Sequence, residues 1–435
     1  MADKTPQLLK GFRDFGPQQQ TARFDMFAKI RAAFERYGFA PVDTPAIEYA
    51  STLTGKYGAD EKLMYRFRDQ GDRDVALRYD LTVPFARYYL ANRNDLPKPF
   101  KRYQIAPVWR ADNPQKGRYR EFWQCDVDTV GTDALTADAD CIAAVAAAIK
   151  ELGVGDITIR INNRKILDGL FSIVRVLPAQ AAPAMRLIDK LDKGDAKKTE
   201  SEMETLGIPA KQLFKYLNMP VKDAKNLQSA FGKLVLENKA LADGVGELAT
   251  VLKLLEKLGV PNAVIDLKLV RGLDYYTGMI CEILLTKLPA LGSVGGGGRY
   301  DNLIGAMSGG KTNVPAVGMS IGIDRLIAGL EDLKVIKYDL RFEAIVFNLD
   351  ASLSGVYSDI ARELRASGIG CDLYYQADPM DKQFKYAEKK NIILGIFVGE
   401  DEIKKGTVTL KNLKTRAQWT VKAEKLAGEV EKALK

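Results

Sequence analysis

Arg271-Gly272-Leu273-Asp274-Tyr275-Tyr276 puts an arginine, an aspartate and two tyrosines in six consecutive residues, and Gly278 follows. Read as a strand, the segment sends alternate side chains to opposite faces. Arg271, Leu273 and Tyr275 then share one side, and Asp274 and Tyr276 the other. A fixed guanidinium near rigid aromatic hydroxyls suits a small zwitterion held beside a phosphate. A second group of cations surrounds a polar loop: Arg110 ends one predicted strand, Lys116 lies in the loop, and Arg118 and Arg120 flank the return. Guanidinium groups so placed suit phosphate. Gln124 and Asp128 follow on the return strand, an even number apart and so on one face. The same strings also fit a hairpin edge with a surface ion pair and a solvated basic turn.

Elements that would position these groups are legible. Phe24, Phe27, Ile30, Ala33 and Phe34 recur at helical spacing over residues 17 to 37, and Gly38 ends the run. Phe39 to Pro45 reads as extended and proline-bounded. A helix is predicted over 82 to 91 and strands over 100 to 109 and from Glu121 to Asp128. Asp112-Asn113-Pro114-Gln115-Lys116-Gly117 supplies turn residues between those strands, so 100 to 130 forms a long antiparallel hairpin. Ala134 to Leu152 reads as a helix stopped by Gly153. Residues from about 165 to 260 become rich in leucine, lysine and alanine and read as inserted helices. A strand-rich block resumes at 265. From about Tyr338, strands and helices alternate, which argues for a separate βαβ-type domain.

The 435 residues suffice for about three domains. The 46% hydrophobic and 28% charged shares are those of a soluble globular protein. Met1 to Pro6 leads into no apolar core of a secretory signal. The longest near-apolar run, Ile142 to Ile149, is too short to cross a bilayer. A cytoplasmic location without membrane contact is therefore expected. Cys125, Cys141, Cys281 and Cys371 are scattered without a CxxC pair, so neither a zinc cage nor a disulfide scaffold is expected. The formal charge of +8 fits a polyanionic partner. There is no histidine at all. Imidazole bases, histidine-ligated metals and Ser-His-Asp or Cys-His catalysis are excluded.

The whole pattern resembles the histidyl-tRNA synthetases. Arg271 to Gly278 is similar to a signature peptide of that family, and Gly295-Gly296-Gly297-Gly298-Arg299-Tyr300-Asp301 to a second one, a glycine-paved strand beside the amino acid. The four glycines lack the lysine and hydroxyl residue of a phosphate-binding P-loop. Val108-Trp109-Arg110-Ala111-Asp112 with Arg118-Tyr119-Arg120-Glu121-Phe122 resembles motif 2 of the class II aminoacyl-tRNA synthetases. Ala316 to Arg325 resembles motif 3, and Pro45 the motif 1 proline at the family's dimer interface. Gln383 to Ala387 and Val398 to Glu402 look like the family's anticodon-binding domain.

The resemblance implies an α+β catalytic domain, an antiparallel sheet flanked by helices, with a helical insertion and a C-terminal α/β anticodon-binding domain. The parts would be 1–164 and 263–332 for catalysis, 165–262 for the insertion and 338–435 for the anticodon. It implies ATP-dependent ligation of L-histidine to tRNA(His) through a histidyl-adenylate, by a homodimer, with Mg2+ accompanying the nucleotide and no metal site in the protein. Arg110 and Arg271 would act on the α-phosphate. Asp112, Phe122 and Arg325 would join Arg110 in holding ATP. Leu77 to Thr82 resembles the segment that binds the ammonium group, through Asp80 and Thr82; Asp80 equally suits a helix N-cap. Gln124, Asp128, Arg271, Tyr275 and Tyr276 would complete the histidine site, Asp128 accepting the ring N–H and Tyr276 serving the other nitrogen. Gln115 and Arg118 would meet the acceptor end of the tRNA. The alternative is a catalytically inactive synthetase-like regulatory subunit of ATP phosphoribosyltransferase, against which the three arginines and the extra C-terminal domain argue.

Overall fold

The computed structural model describes residues 6–191, 196–270, 275–336, 338 and 342–434. It divides into two compact units, one made of residues up to 14 and from 24 to 336, the other of residues 15 to 23 and from 337 onward.

The first unit is built on strands β1 (Ala40–Pro41), β2 (Ile47–Tyr49), β3 (Arg66–Arg68), β4 (Asp74–Leu77), β5 (Phe100–Trp109), β6 (Glu121–Val130), β7 (Ile157–Asn163), β8 (Ala263–Ile265), β9 (Met279–Leu285), β10 (Gly295–Arg299) and β11 (Ala316–Gly322). Eight of them form one sheet in the order β1-β5-β6-β11-β10-β9-β7-β8, and β2-β4-β3 form a small second sheet. The large sheet is antiparallel except at its ends, where β1 runs parallel to β5 and β8 to β7. The hairpin read from the turn residues 112–117 is the β5–β6 pair, registered from Phe100↔Val130 to Trp109↔Glu121.

One face of the sheet is apolar. Val127 of β6, Cys281 and Ile283 of β9, and Val317, Met319 and Ile321 of β11 pack there against Ile142, Val145 and Ile149 of the helix Leu135–Glu151. That helix lies on the sheet through its alanines and β-branched residues, and its buried acid, Asp138, is ion-paired with Arg299 of β10. The opposite face carries the polar residues of the next section. The inserted region, from helix Arg164–Ile173 to helix Lys239–Lys257, buries Leu241, Val245, Leu248, Leu252 and Leu255 at helical spacing. Asn238 caps the last of these helices by accepting from Leu241 N at 3.0 Å.

The second unit contains β12 (Ala344–Val346), β13 (Cys371–Leu373), β14 (Leu394–Phe397), β15 (Thr407–Asn412) and β16 (Gln418–Lys422). They are ordered β13-β12-β14-β15-β16, parallel across the first three and antiparallel across the last three. Helices Ser354–Ala366 and Met380–Lys389 make the crossovers, as the alternation along the chain requires. None of the four cysteines forms a disulfide, and all are buried. No described helix is long and apolar enough to cross a membrane.

Candidate active site

Strand register explains why one face of the sheet becomes a site. Directly paired residues share a face, so β5, β6 and β11 lay down a ladder: Arg102, Asp128 and Gly318; Gln104, Asp126 and Ser320; Ala106, Gln124 and Gly322; then Val108 with Phe122. The rows continue through Gly298 and Gly296 of β10, and from Gly296 to Glu282 of β9. Side chains on β5 and β6 stand up as a wall, while the glycines of β10 and β11 keep the floor low. The result is a cavity of about 350 Å³, within the range of small-molecule sites.

This cavity is lined by Asp80, Thr82, Arg110, Asp112, Arg118, Phe122, Gln124, Asp128, Tyr275, Tyr276 and Arg325. The expected residues, scattered over more than two hundred positions, thus converge. Gln115 does not line it; it sits at the tip of the β5–β6 connection, exchanging backbone hydrogen bonds with Arg118 at 2.8 and 3.0 Å. Arg271 lies outside the described residues, as does Asp274.

The floor is sterically committed. A Cβ at Gly298 would collide with the Met279 carbonyl oxygen and stand 2.9 Å from Tyr276 Cδ1. Gly298→Ala should therefore displace the Tyr276 ring and cost about 1–3 kcal/mol by overpacking. A urea melt reads that loss, and an unchanged midpoint would refute the close packing.

Asp80 takes the helix-start role the sequence allowed it and keeps one oxygen open. Its Oδ1 accepts from Val83 N and from the Tyr57 hydroxyl, each at 3.0 Å, and so closes the first turn of helix Thr82–Asn92. Its Oδ2 is buried and finds no hydrogen-bond partner among the described residues. Burial raises the Asp80 carboxyl, while the Val83 N–H and the nearby Arg110 lower it. Gln124 is divided in the same way: Nε2 donates to Ser320 Oγ at 2.9 Å, and Oε1 is buried without a partner among the described residues. Unfilled acceptors at this depth are uncommon in folded proteins and point to a ligand donor.

Arg110 is anchored by Nε donating to the Tyr79 carbonyl at 3.0 Å, with its guanidinium carbon 4.3 Å from the Tyr79 ring centre and 5.1 Å from that of Phe122. Arg325, in the first turn of helix Ile323–Asp332, donates from Nη1 to Ser293 O at 2.7 Å. Its neighbour Asp324 accepts from Trp123 N at 2.6 Å and pairs with Arg13. That pairing holds the helix start against β6. At the rim, Asp112 is ion-paired with Arg118.

One finding differs from the sequence reading. Strand alternation placed Tyr275 and Tyr276 on opposite faces, yet both line the cavity, their ring centres 4.9 Å apart in an edge-on contact. The reason is that β9 begins only at Met279, so the two tyrosines lie in a turn ahead of it. Asp128, expected to offer a ligand its carboxylate, has Oδ1 accepting from the Tyr300 hydroxyl at 2.5 Å, while Oδ2 lies 2.6 Å from Arg102 Nη2 as an ion pair and has no hydrogen-bond partner among the described residues.

Sequence reasoning also passed over Asp60, Tyr79, Asp126, Glu282, Ser320 and Asp324, which all line the cavity. Asp126 was detectable: it lies midway between Gln124 and Asp128 and shares their face. The others carried no local signal.

A family model described as histidyl-tRNA synthetase matches residues 11–326, and one described as an anticodon binding domain matches residues 343–433. The histidine–tRNA ligase of Cytophaga hutchinsonii is 40% identical over 448 aligned positions, covering 96% of this chain and 97% of its own. That of Rhodopirellula baltica is also 40% identical, covering 94% of each chain. The crystal structure of histidyl-tRNA synthetase from Nostoc sp. PCC 7120 superposes with a TM-score of 0.86 at 32% identity over 100% of both chains. With a family model spanning most of its length, close relatives covering nearly all of it and a floor of glycines beneath unfilled acceptors, the chain belongs to the histidyl-tRNA synthetase family.

Proposed function

We propose that this chain ligates L-histidine to tRNA(His) in two steps driven by ATP. The observation that carries the reading is the pair of buried, unfilled acceptors Asp80 Oδ2 and Gln124 Oε1 in the cavity that Arg110 also lines. A cation-seeking end and a phosphate-seeking end in one hollow match an amino acid meeting a nucleotide.

In the first step a carboxylate oxygen of histidine attacks the α-phosphorus in line. The new O–P bond forms as the bond to pyrophosphate breaks, leaving histidyl-adenylate. The nucleophile is already an anion, so no base is required, which is consistent with a chain devoid of histidine. Catalysis is positioning and charge stabilisation. Arg110 and Arg271 take the α-phosphate. Phe122 and Arg325 take the two faces of adenine, and Asp112 its amino group. ATP enters as its Mg2+ complex, so the ion is part of the substrate. Asp80, Thr82 and Gln124 receive the ammonium group, while Asp128, Tyr275 and Tyr276 surround the ring. In the second step the terminal ribose hydroxyl of the tRNA attacks the acyl carbon and AMP leaves. Gln115 and Arg118, at the tip and rim, meet the acceptor end.

We assign 1–164 and 263–332 to catalysis, 165–262 to an inserted helical domain and 338–435 to the anticodon. A homodimer is supported by Ile47 and Tyr49, 48% and 56% exposed on the same face of β2 just after Pro45. The four buried thiols fit the cytoplasm. The regulatory-subunit reading gains nothing from a cavity with Arg110 and Arg325 in place. Histidine-dependent exchange of labelled pyrophosphate into ATP tests the assignment. Exchange should require L-histidine and fail with the other amino acids; no exchange with any of them overturns it.

A further inference from the structure

Resting on that reading, we infer that Arg13 is a positioning residue for ATP: it joins the two arms of chain that would enclose the adenine, the β5–β6 connection and the start of helix Ile323–Asp332.

The segment that carries Arg13 is laid against the first arm by its backbone. Gly11 O accepts from Arg120 N at 2.9 Å, and Arg120 O accepts from Arg110 N at 2.9 Å. These bonds lie just beyond the last β5–β6 pair, Trp109↔Glu121, so the segment stands two hydrogen bonds from Arg110. Lys10 O also accepts from Arg120 Nη1 at 3.2 Å. Position 11 requires glycine: its φ is +88°, and a Cβ there would stand 2.8 Å from the Arg120 side chain and 2.9 Å from Pro114 Cγ.

Arg13 then reaches both arms. Its guanidinium carbon lies 3.2 Å from the centre of the Tyr119 ring, and it is ion-paired with Asp324. Asp324 is 2% exposed, and its second oxygen accepts from Trp123 N at 2.6 Å. One buried carboxylate is therefore held by β6 on one side and by Arg13 on the other. Arg325 follows it directly, and Gly117 in the connection lies so near that a Cβ there would stand 3.2 Å from Arg325 Cγ. Gly117, Tyr119, Phe122, Asp324 and Arg325 line the cavity. Arg13 does not line it, so it acts through them.

Adenine held between Phe122 and Arg325 requires those two groups at a fixed spacing, yet they come from distant parts of the chain. An arginine that stacks on one arm and pairs with the other fixes the spacing before the nucleotide arrives, which lowers the entropy lost on binding. A planar guanidinium can do both at once; an ammonium keeps the charge but not the stacked plane.

Pyrophosphate exchange on the full chain, with ATP and histidine varied in turn, tests this. Arg13→Ala should lower kcat/KM for ATP by about tenfold to a hundredfold, the scale of misplacing a binding group by about 1 Å. The KM for histidine at saturating ATP should stay within about twofold of wild type, since the arms do not touch the amino acid. Arg13→Lys should lose about two- to fivefold in kcat/KM for ATP, the worth of a cation–π contact near the surface. The rise in melting temperature that each ligand confers gives a second reading, independent of turnover. In Arg13→Ala the rise with Mg2+–ATP should shrink while the rise with histidine stays. If Arg13→Ala does not fold, Arg13→Lys, which keeps a cation beside Asp324, carries the test. An unchanged kcat/KM for ATP in either variant, or equal losses for ATP and histidine, overturns the inference; the second result would make Arg13 a general support of the fold. Wild-type exchange that is indifferent to Arg13 sinks this inference alone, whereas absent wild-type exchange sinks the reading beneath it.

Discussion

Arg110→Ala should slow histidine-dependent pyrophosphate exchange by about 10²–10³-fold, the usual effect of deleting one preorganised donor to a developing charge. The guanidinium is fixed before any ligand arrives: Nε is spent on the Tyr79 carbonyl, and the rings of Tyr79 and Phe122 pack against the group. A cation so held does not have to reorganise when negative charge builds on the α-phosphoryl oxygens. Arg110→Lys should recover little, because a single ammonium cannot reproduce the planar fork while keeping the Nε anchor. Histidine affinity, measured by equilibrium binding without ATP, should change only slightly, since the proposed amino-acid ligands are Asp80 and Gln124. Arg271→Ala, in the segment outside the described residues, should show the same division. The loss belongs in kcat and kcat/KM together, the mark of an interaction made in the transition state. A variant that loses histidine affinity while keeping kcat would remove Arg110 from the phosphate.

Arg102→Met should destabilise the fold by about 3–5 kcal/mol, the range for removing one partner of a buried ion pair. Arg102 is fully buried, lies 2.6 Å from the Asp128 carboxylate and stacks 4.2 Å from the Phe85 ring. Methionine replaces the stem, so the loss reports the stranded charge rather than a cavity. The pH dependence follows from the direction of the Asp128 shift. Burial raises that carboxyl above its unfolded value and Arg102 opposes the rise; without Arg102 it goes higher still. A carboxyl raised in the folded state lends stability below its unfolded pKa and loses it as pH climbs through the folded one. The deficit of Arg102→Met should thus be larger at pH 8 than at pH 5, and Asp128→Asn in the same chain should recover much of it. Urea melts at both pH values read the effect. A deficit that is the same at both would mean that the pair's charge is not what Arg102 stabilises.

Much of the site was legible because its residues sit in elements whose geometry is local. A strand repeats every second residue, so Gln124 and Asp128 could be put on one face without knowing the fold. The turn residues 112–117 announced the hairpin, and Asp80 was recognisable as the start of a helix. Alternation misled at Tyr275 and Tyr276 because it holds only inside a strand, and β9 starts after them. Asp126 was passed over although the same period of two selects it, since an aspartate between Gln124 and Asp128 reads as one more polar residue until its partners are known.

Residue types and their spacing by themselves determined the family, the two-part architecture and the arginines, carboxylates and glycines that the chemistry needs. Tertiary structure alone decided which of those groups engage one another and which keep an open oxygen. Whether a carboxylate is available to a ligand depends on which donors reach it first, and those come from elsewhere: Tyr300 takes one oxygen of Asp128, Arg102 pairs with the other without a hydrogen bond, and Asp43 and Thr44 draw Gln104 away from Asp126. Competition for hydrogen bonds among residues distant in the chain is a property of packing, and no local pattern encodes its outcome.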